Sequence, residues 1–154
     1  MKKDIDIVTK NRKAKHDYYI EDKFEAGIVL KGPEVKSLRM GAANLKDSYA
    51  EITPNQEVYL HNAHISQYKH ASHDNHDPER KRKLLLHKNQ IKRLARQINK
   101  KNYTLVPLKI YFNNKGLAKV ELALAKGKKK YDKRHSIKEK ETQERIDRIR
   151  KEKY

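Results

Sequence analysis

Cysteine is absent from these 154 residues. That excludes a disulfide framework, a thiolate metal site and a cysteine nucleophile. Tryptophan is absent too, and only two phenylalanines accompany nine tyrosines. So few large core anchors predict a small folded body. No apolar run approaches the ~18–20 residues that a membrane span needs, so a membrane-spanning role is not expected. The N-terminus, MKKDIDIVTKNRKAKHD, has no apolar segment and two early aspartates, unlike a signal peptide. These absences point to the cytoplasm. Catalytic motifs are missing as well: there is no Walker loop, no GxSxG and no HExxH.

What the chain does have is positive charge. Lys and Arg number 38 against 20 Asp and Glu, a formal net charge of +18 with pI ≈ 9.9. Solubility alone does not call for that excess; it attracts nucleic acid or an anionic surface. Residues 126–154 hold 13 basic and 6 acidic side chains, net +7. The preceding 125 residues hold 25 and 14, net +11, so the body is basic in its own right.

The stretch Lys119 to Arg134, KVELALAKGKKKYDKR, organises the rest. Val120, Leu122 and Leu124 alternate with Lys119, Glu121 and Ala123, the period of a half-buried strand. Gly127 ends the alternation. Lys126, Lys128, Lys129, Lys130, Lys133 and Arg134 then surround one aromatic, Tyr131. The expected layout is a flexible N-terminus (1–15), a body (16–125) and a basic C-terminal tail (126–154).

Within the body, Phe24 to Leu30, Leu45 to Ile52 and Glu57 to His64 read as strands. Gly27 suggests a bend or bulge in the first. Gly32-Pro33 opens a short helix that ends at Gly41. Val35 and Leu38 are expected to face the core, Lys36 and Arg39 the solvent or a partner. Ser66 to Lys83 reads as a long loop rich in His. Ile91, Leu94, Ala95 and Ile98 predict a helix over Lys88 to Lys101, with Asn102 at its left-handed end. Strands Tyr103 to Phe112 and Leu117 to Ala125 close the body. In the tail, Ser136 and Glu139 match a capping box. A helix from there has too few apolar residues to pack, so it is expected to be disordered when free and helical when bound to RNA. Three strands, a helix and two strands predict a mainly β chain with helices, an OB-like closed small barrel with flanking helices and a basic tail.

His61, His64, His70, His73 and His76 suggest metal ligands, but their spacing fits no zinc pattern. A solvated polar loop is the preferred reading, and no metal or other cofactor is expected. Asp47 and Glu51, four apart on one expected strand, could serve a metal-dependent nuclease, but such spacing is common by chance and no catalytic residue is assigned. The clusters Arg80 to Lys83, which includes Arg82 and Lys83, and Lys126 to Arg134, with Tyr131 between cations, favour RNA or DNA. Glu25 reads equally as a surface carboxylate or as an acceptor for base amino groups in a basic face.

Six blocks in register, KHDYYI, FEAGIVLKGPEVKSLR, NLKDSYA, NHDPERKRKLLL, TLVPLKIYF and KVELALAKGKKKYDKR, resemble the SsrA-binding protein (small protein B) family. The resemblance covers about Asn11 to Arg134. It implies an OB-like barrel, without enzymatic activity, that binds the tRNA-like domain of transfer-messenger RNA (tmRNA). It also implies delivery of that RNA, in a complex with elongation factor Tu, to stalled ribosomes for trans-translation. It assigns RNA binding to Glu25, Leu85 and Lys119, with His16 near the same face. Lys36, Arg39, Arg82, Lys83, Lys126 and Lys128 complete the expected RNA-binding set. Gly127, Lys129, Tyr131, Asp132, Lys133 and Arg134 form the tail root expected to meet small-subunit RNA at the decoding centre and mRNA channel. Tyr131 is the residue expected to stack there.

Overall fold

The computed structural model describes residues 5–70 and 75–153; the side chains of residues 101, 130–132, 136 and 151–153 lie outside that description. In chain order the elements are β1 (Asp6–Lys10), α1 (Ala14–Asp17), β2 (Tyr18–Ile28), α2 (Gly32–Arg39), β3 (Ala43–Asn44), β4 (Tyr49–Ile52) and β5 (Val58–His61). They continue with β6 (His64–Ile65), β7 (Arg82–Leu85), α3 (Lys88–Lys101), β8 (Thr104–Phe112), β9 (Ala118–Gly127) and α4 (Lys130–Lys153).

The main sheet runs β1-β8-β4-β5-β7-β2-β9, and β9 pairs again with β8. The ring β8-β4-β5-β7-β2-β9 is therefore closed, which removes its free edges. Every pairing in it is antiparallel. This is the expected OB-like barrel. Its interior takes one face of each strand: Phe24 and Ala26, Val58 and Leu60, Leu84, Leu105 and Ile110, Val120, Leu122 and Leu124. Burying each large aliphatic stabilises the fold by about 1.5–3 kcal/mol. α3 follows the expected bounds. Its Ile91 and Leu94 enter the core, and Asn102 ends it in the left-handed conformation (φ 58°).

Several elements depart from the sequence reading. The N-terminal stretch expected to be flexible supplies β1, which pairs with β8 from Asp6↔Phe112 to Lys10↔Lys109. β4 meets β8 at Leu105, near the opposite end of that strand, so β1 takes up an edge that β4 leaves open. Ala14 is buried against Val106, Leu108, Ala123 and Ala125 in a second small cluster on the outer side of the β8–β9 hairpin. The expected strand 57–64 is two strands, interrupted at Asn62 in a positive-φ conformation (64°). His61 and His64 therefore belong to different strands. Asp47 and Glu51 do not share a strand either: Asp47 lies before β4 at φ 61°. The expected long loop ends in a strand, β7, which bridges β5 and β2. The last barrel strand runs to Gly127, two residues into the expected tail.

Among the described residues no helix is long and apolar enough to cross a membrane, and no group of three or more His, Cys, Asp or Glu side chains could hold a metal ion.

Candidate RNA-binding surface

Strand alternation decides which side chains leave the barrel. On β2, Phe24 and Ala26 point in, so Glu25 and Gly27 point out. Gly27 is paired on one side with Leu85 of β7 and on the other with Lys119 of β9. Lys119 is in turn paired with Tyr111 of β8. Paired residues share a face, so Leu85, Gly27, Lys119 and Tyr111 form one row across four strands. Glu25, Glu121 and Lys109 form the next row. Lys83, two residues before Leu85, extends the face to Tyr59 of β5.

The centre of this face is bare backbone. A Cβ placed on Gly27 would meet the Leu85 Cβ at 3.3 Å. The glycine thus allows β7 to approach β2 closely, and it leaves a gap between two longer side chains. Leu85 beside it is 53% exposed and Val29 is 46% exposed. An aliphatic pair left in water at the edge of a charged face suits contact with an unstacked base.

Glu25 is not a lone surface carboxylate. The Tyr111 hydroxyl reaches across β9 and donates to Glu25 Oε2. Burial raises the Tyr111 pKa, and the bond to Glu25 and its charge raise it further. Tyr111 therefore stays a donor and orients the carboxylate. Glu121, opposite Glu25, lies 3.8 Å from the Lys109 ammonium. Lys83 lies 3.9 Å from Glu57, which also accepts from the Tyr59 hydroxyl at 2.6 Å.

The remaining expected contacts divide. His16 stands on α1, which packs over the outer side of the same hairpin through Ala14. Lys126 pairs with Tyr19 and Gly127 with Tyr18, so both belong to the barrel as well as to the tail. The Lys128 ammonium lies 5.0 Å from the Tyr19 ring centroid. Lys36 is exposed on α2 near Tyr68. Arg39, also exposed, stacks 3.7 Å from the centroid of Phe112 and donates to the Gly116 carbonyl. It stands at the β8–β9 turn rather than in the Glu25–Lys119 rows. Lys129 and Arg134 are exposed and Lys133 is half-buried. The expectations for the side chains of Tyr131 and Asp132 lie outside the described residues.

Arg82 requires a correction. It was expected to reach RNA, yet it is fully buried. Its Nε donates to Glu34 Oε2 at 2.7 Å and its Nη1 to the Ala63 carbonyl at 2.6 Å. Its Nη2 donates to the Pro78 carbonyl at 3.0 Å. The reason is strand parity: Arg82 shares the inward side of β7 with Leu84, whereas Lys83 and Leu85 alternate outward. A phosphate cannot reach this guanidinium while the barrel is closed. Its partner Glu34, on α2, went unnoticed in the sequence because a Glu in a first helical turn reads as a cap. It is one: Lys31 N–H donates to it at 2.7 Å. Arg80 adds a further bond at 2.6 Å. Burial alone would raise the Glu34 pKa. The bonds from Arg80, Lys31 and Arg82, with the charge of Arg82, outweigh it and hold the carboxyl below its usual value.

The blocks that build this face are those of a known family. The family model described as "SmpB protein" matches residues 8–152. This chain belongs to the SmpB family. It is 60% identical to the SsrA-binding protein of Syntrophobacter fumaroxidans, over 94% of this chain and 89% of that one. It is 53% identical to the SsrA-binding protein of Moorella thermoacetica, over 99% and 97%. A solved chain described by the words "tmRNA-SmpB: a journey to the center of the bacterial ribosome" superposes with a TM-score of 0.66 at 53% identity, over 79% of this chain and 85% of that one. As a member of the SmpB family, the chain is grouped with RNA-binding proteins.

Proposed function

We propose that this chain binds tmRNA and delivers it to stalled ribosomes for rescue by trans-translation. The single observation that carries the reading is the row Leu85–Gly27–Lys119 with Glu25 beside it. The four come from three neighbouring strands and face outward on a basic barrel. The close relatives named above as SsrA-binding proteins support the choice of RNA. The arrangement suits a folded RNA elbow: lysines for phosphates, Glu25 for a base amino group, and Leu85 with Val29 for an unstacked base face.

In this reading the barrel holds the tRNA-like domain and the chain from Lys126 onward acts on the ribosome. Gly127, Lys129, Tyr131, Asp132, Lys133 and Arg134 meet small-subunit RNA at the decoding centre, where Tyr131 stacks, and the rest of the tail occupies the mRNA channel. Ile137, Ile146 and Ile149 are 44%, 41% and 50% exposed, so α4 has no packed apolar stripe of its own. Its distal helix is therefore held by its partner rather than by the barrel, and is disordered without it. Elongation factor Tu joins the delivery complex, which works in the cytoplasm. The protein supplies recognition and not catalysis.

The direct test is capture of RNA by the full chain followed by sequencing. Strong enrichment of tmRNA over other structured RNAs at matched salt is expected. Equal capture of unrelated RNAs would leave a general RNA binder.

A further inference from the structure

Between the barrel and the tail stands α1, a single turn whose last residue touches both. The Asp17 carbonyl accepts the Lys128 N–H at 2.8 Å. Its carboxylate lies 3.4 Å from the Lys133 ammonium, with the two side chains 35% and 38% exposed. The same Oδ1 lies 4.0 Å from His16 Nε2. Two residues before Asp17, the Lys15 carbonyl accepts a bond from the Lys128 side chain at 3.1 Å. α1 itself is fixed: Ala14 is buried in the outer cluster, and the Asn11 side chain donates to the Pro107 carbonyl at 2.9 Å.

We infer that Asp17 is a positioning residue that latches the root of the tail to the barrel and sets the direction in which the tail leaves. The physical case is a lever. The strand ends at Gly127 and the helix begins at Lys130, so the direction of a 24-residue helix is decided by the short link between them. At about 1.5 Å per residue the helix, once held along its length by its partner, is roughly 36 Å long. A small change of angle at the root moves its far end by many ångströms. The backbone bond to Lys128 anchors the start of the link. The ion pair to Lys133, one turn into the helix, fixes the second point that a direction requires.

The inference rests on the functional reading only for its consequence on the ribosome; the latch itself is a property of the free chain. A zero-length carbodiimide joins a carboxylate to an amine only in contact. With the full-length protein, Asp17 joined to Lys133 is expected as the main tail product of Asp17 in peptide mapping. Even coupling to tail lysines along 138–153, or none to Lys133, would overturn the latch. In a reconstituted rescue assay, Asp17→Asn keeps the backbone bond but removes the charge. Tagging is expected to fall about fivefold while tmRNA affinity stays within twofold, and Asp17→Glu should restore tagging. Lost tmRNA affinity in Asp17→Asn would make Asp17 part of the RNA face and overturn the positioning role, as would unchanged tagging. A wild-type chain that binds no tmRNA would overturn the functional reading instead, leaving the cross-link to decide the latch.

Discussion

Glu34 is fully buried and carries its charge against two guanidinium groups, one of them buried as completely. Among the described residues, Glu34 is the only carboxylate within ion-pair distance of either guanidinium. Removing one member of a buried ion pair leaves an uncompensated charge, at a cost of about 3–5 kcal/mol. Glu34→Ala is therefore expected to lower the unfolding free energy by that order, read from the urea midpoint. Its pKa makes a second expectation. The folded value is depressed below the usual 4.5, so around and below 4.5 the unfolded chain binds more protons than the folded one. This contribution is complete above the unfolded value and is lost as pH falls through the folded one. The stability difference between wild type and Glu34→Gln should be constant near neutral pH and shrink in acid, below pH 4.5. None of this was legible in the sequence. A lone Glu after Pro33 looks like a cap, and Arg82 inside KRK looks like its exposed neighbours.

At the scale of elements, pairing register makes the candidate face. Glu25 and Lys119 lie 94 positions apart in sequence, and only the β2–β9 ladder brings them two residues from register. Both side chains point away from the core. The double substitution Glu25→Ala with Lys119→Ala should leave the circular dichroism spectrum and melting point nearly unchanged. It should weaken tmRNA binding by at least tenfold, about 1.4 kcal/mol, at fixed salt. Gly27 has a reason as well: it is the point at which β2 is paired on both sides, and a side chain there would press on Leu85. α3 was legible because its signal is local, an apolar residue every three to four positions. Its end gives a further expectation. Asn102 sits at φ 58°, where glycine is the least strained residue. Asn102→Gly should raise stability by a few tenths of a kcal/mol to about 1 kcal/mol, measured by thermal melting. β1 and β7 were missed because neither has a period of its own. Each is defined by an edge that other strands leave open.

For the whole molecule, the proposed division of labour follows from where packing stops. Every strand of the ring contributes to one core, whereas α4 leaves it after Gly127 with its three isoleucines exposed. Because β9 pairs with β2 as far as Tyr18↔Gly127, a chain truncated after Lys128 keeps the barrel whole, while one truncated before Lys126 would strip pairs from it. The truncated chain is expected to bind tmRNA within a few-fold of the full chain by mobility shift, yet to support no tagging. It should also show a shallower dependence of affinity on salt if tail lysines touch the same RNA. Equal loss of binding and tagging would refute the division.

The sequence by itself determined the class of partner and the barrel with its helix α3. Net charge, strand alternation, helical period and six blocks of family residues are properties of neighbours along the chain. Tertiary structure alone decided which cations stay on the surface and which are buried. Whether Arg82 faces a phosphate or a buried carboxylate depends on the parity of one four-residue strand between two distant partners. Burial reverses the role of a charge, and burial is set by residues far away in the chain.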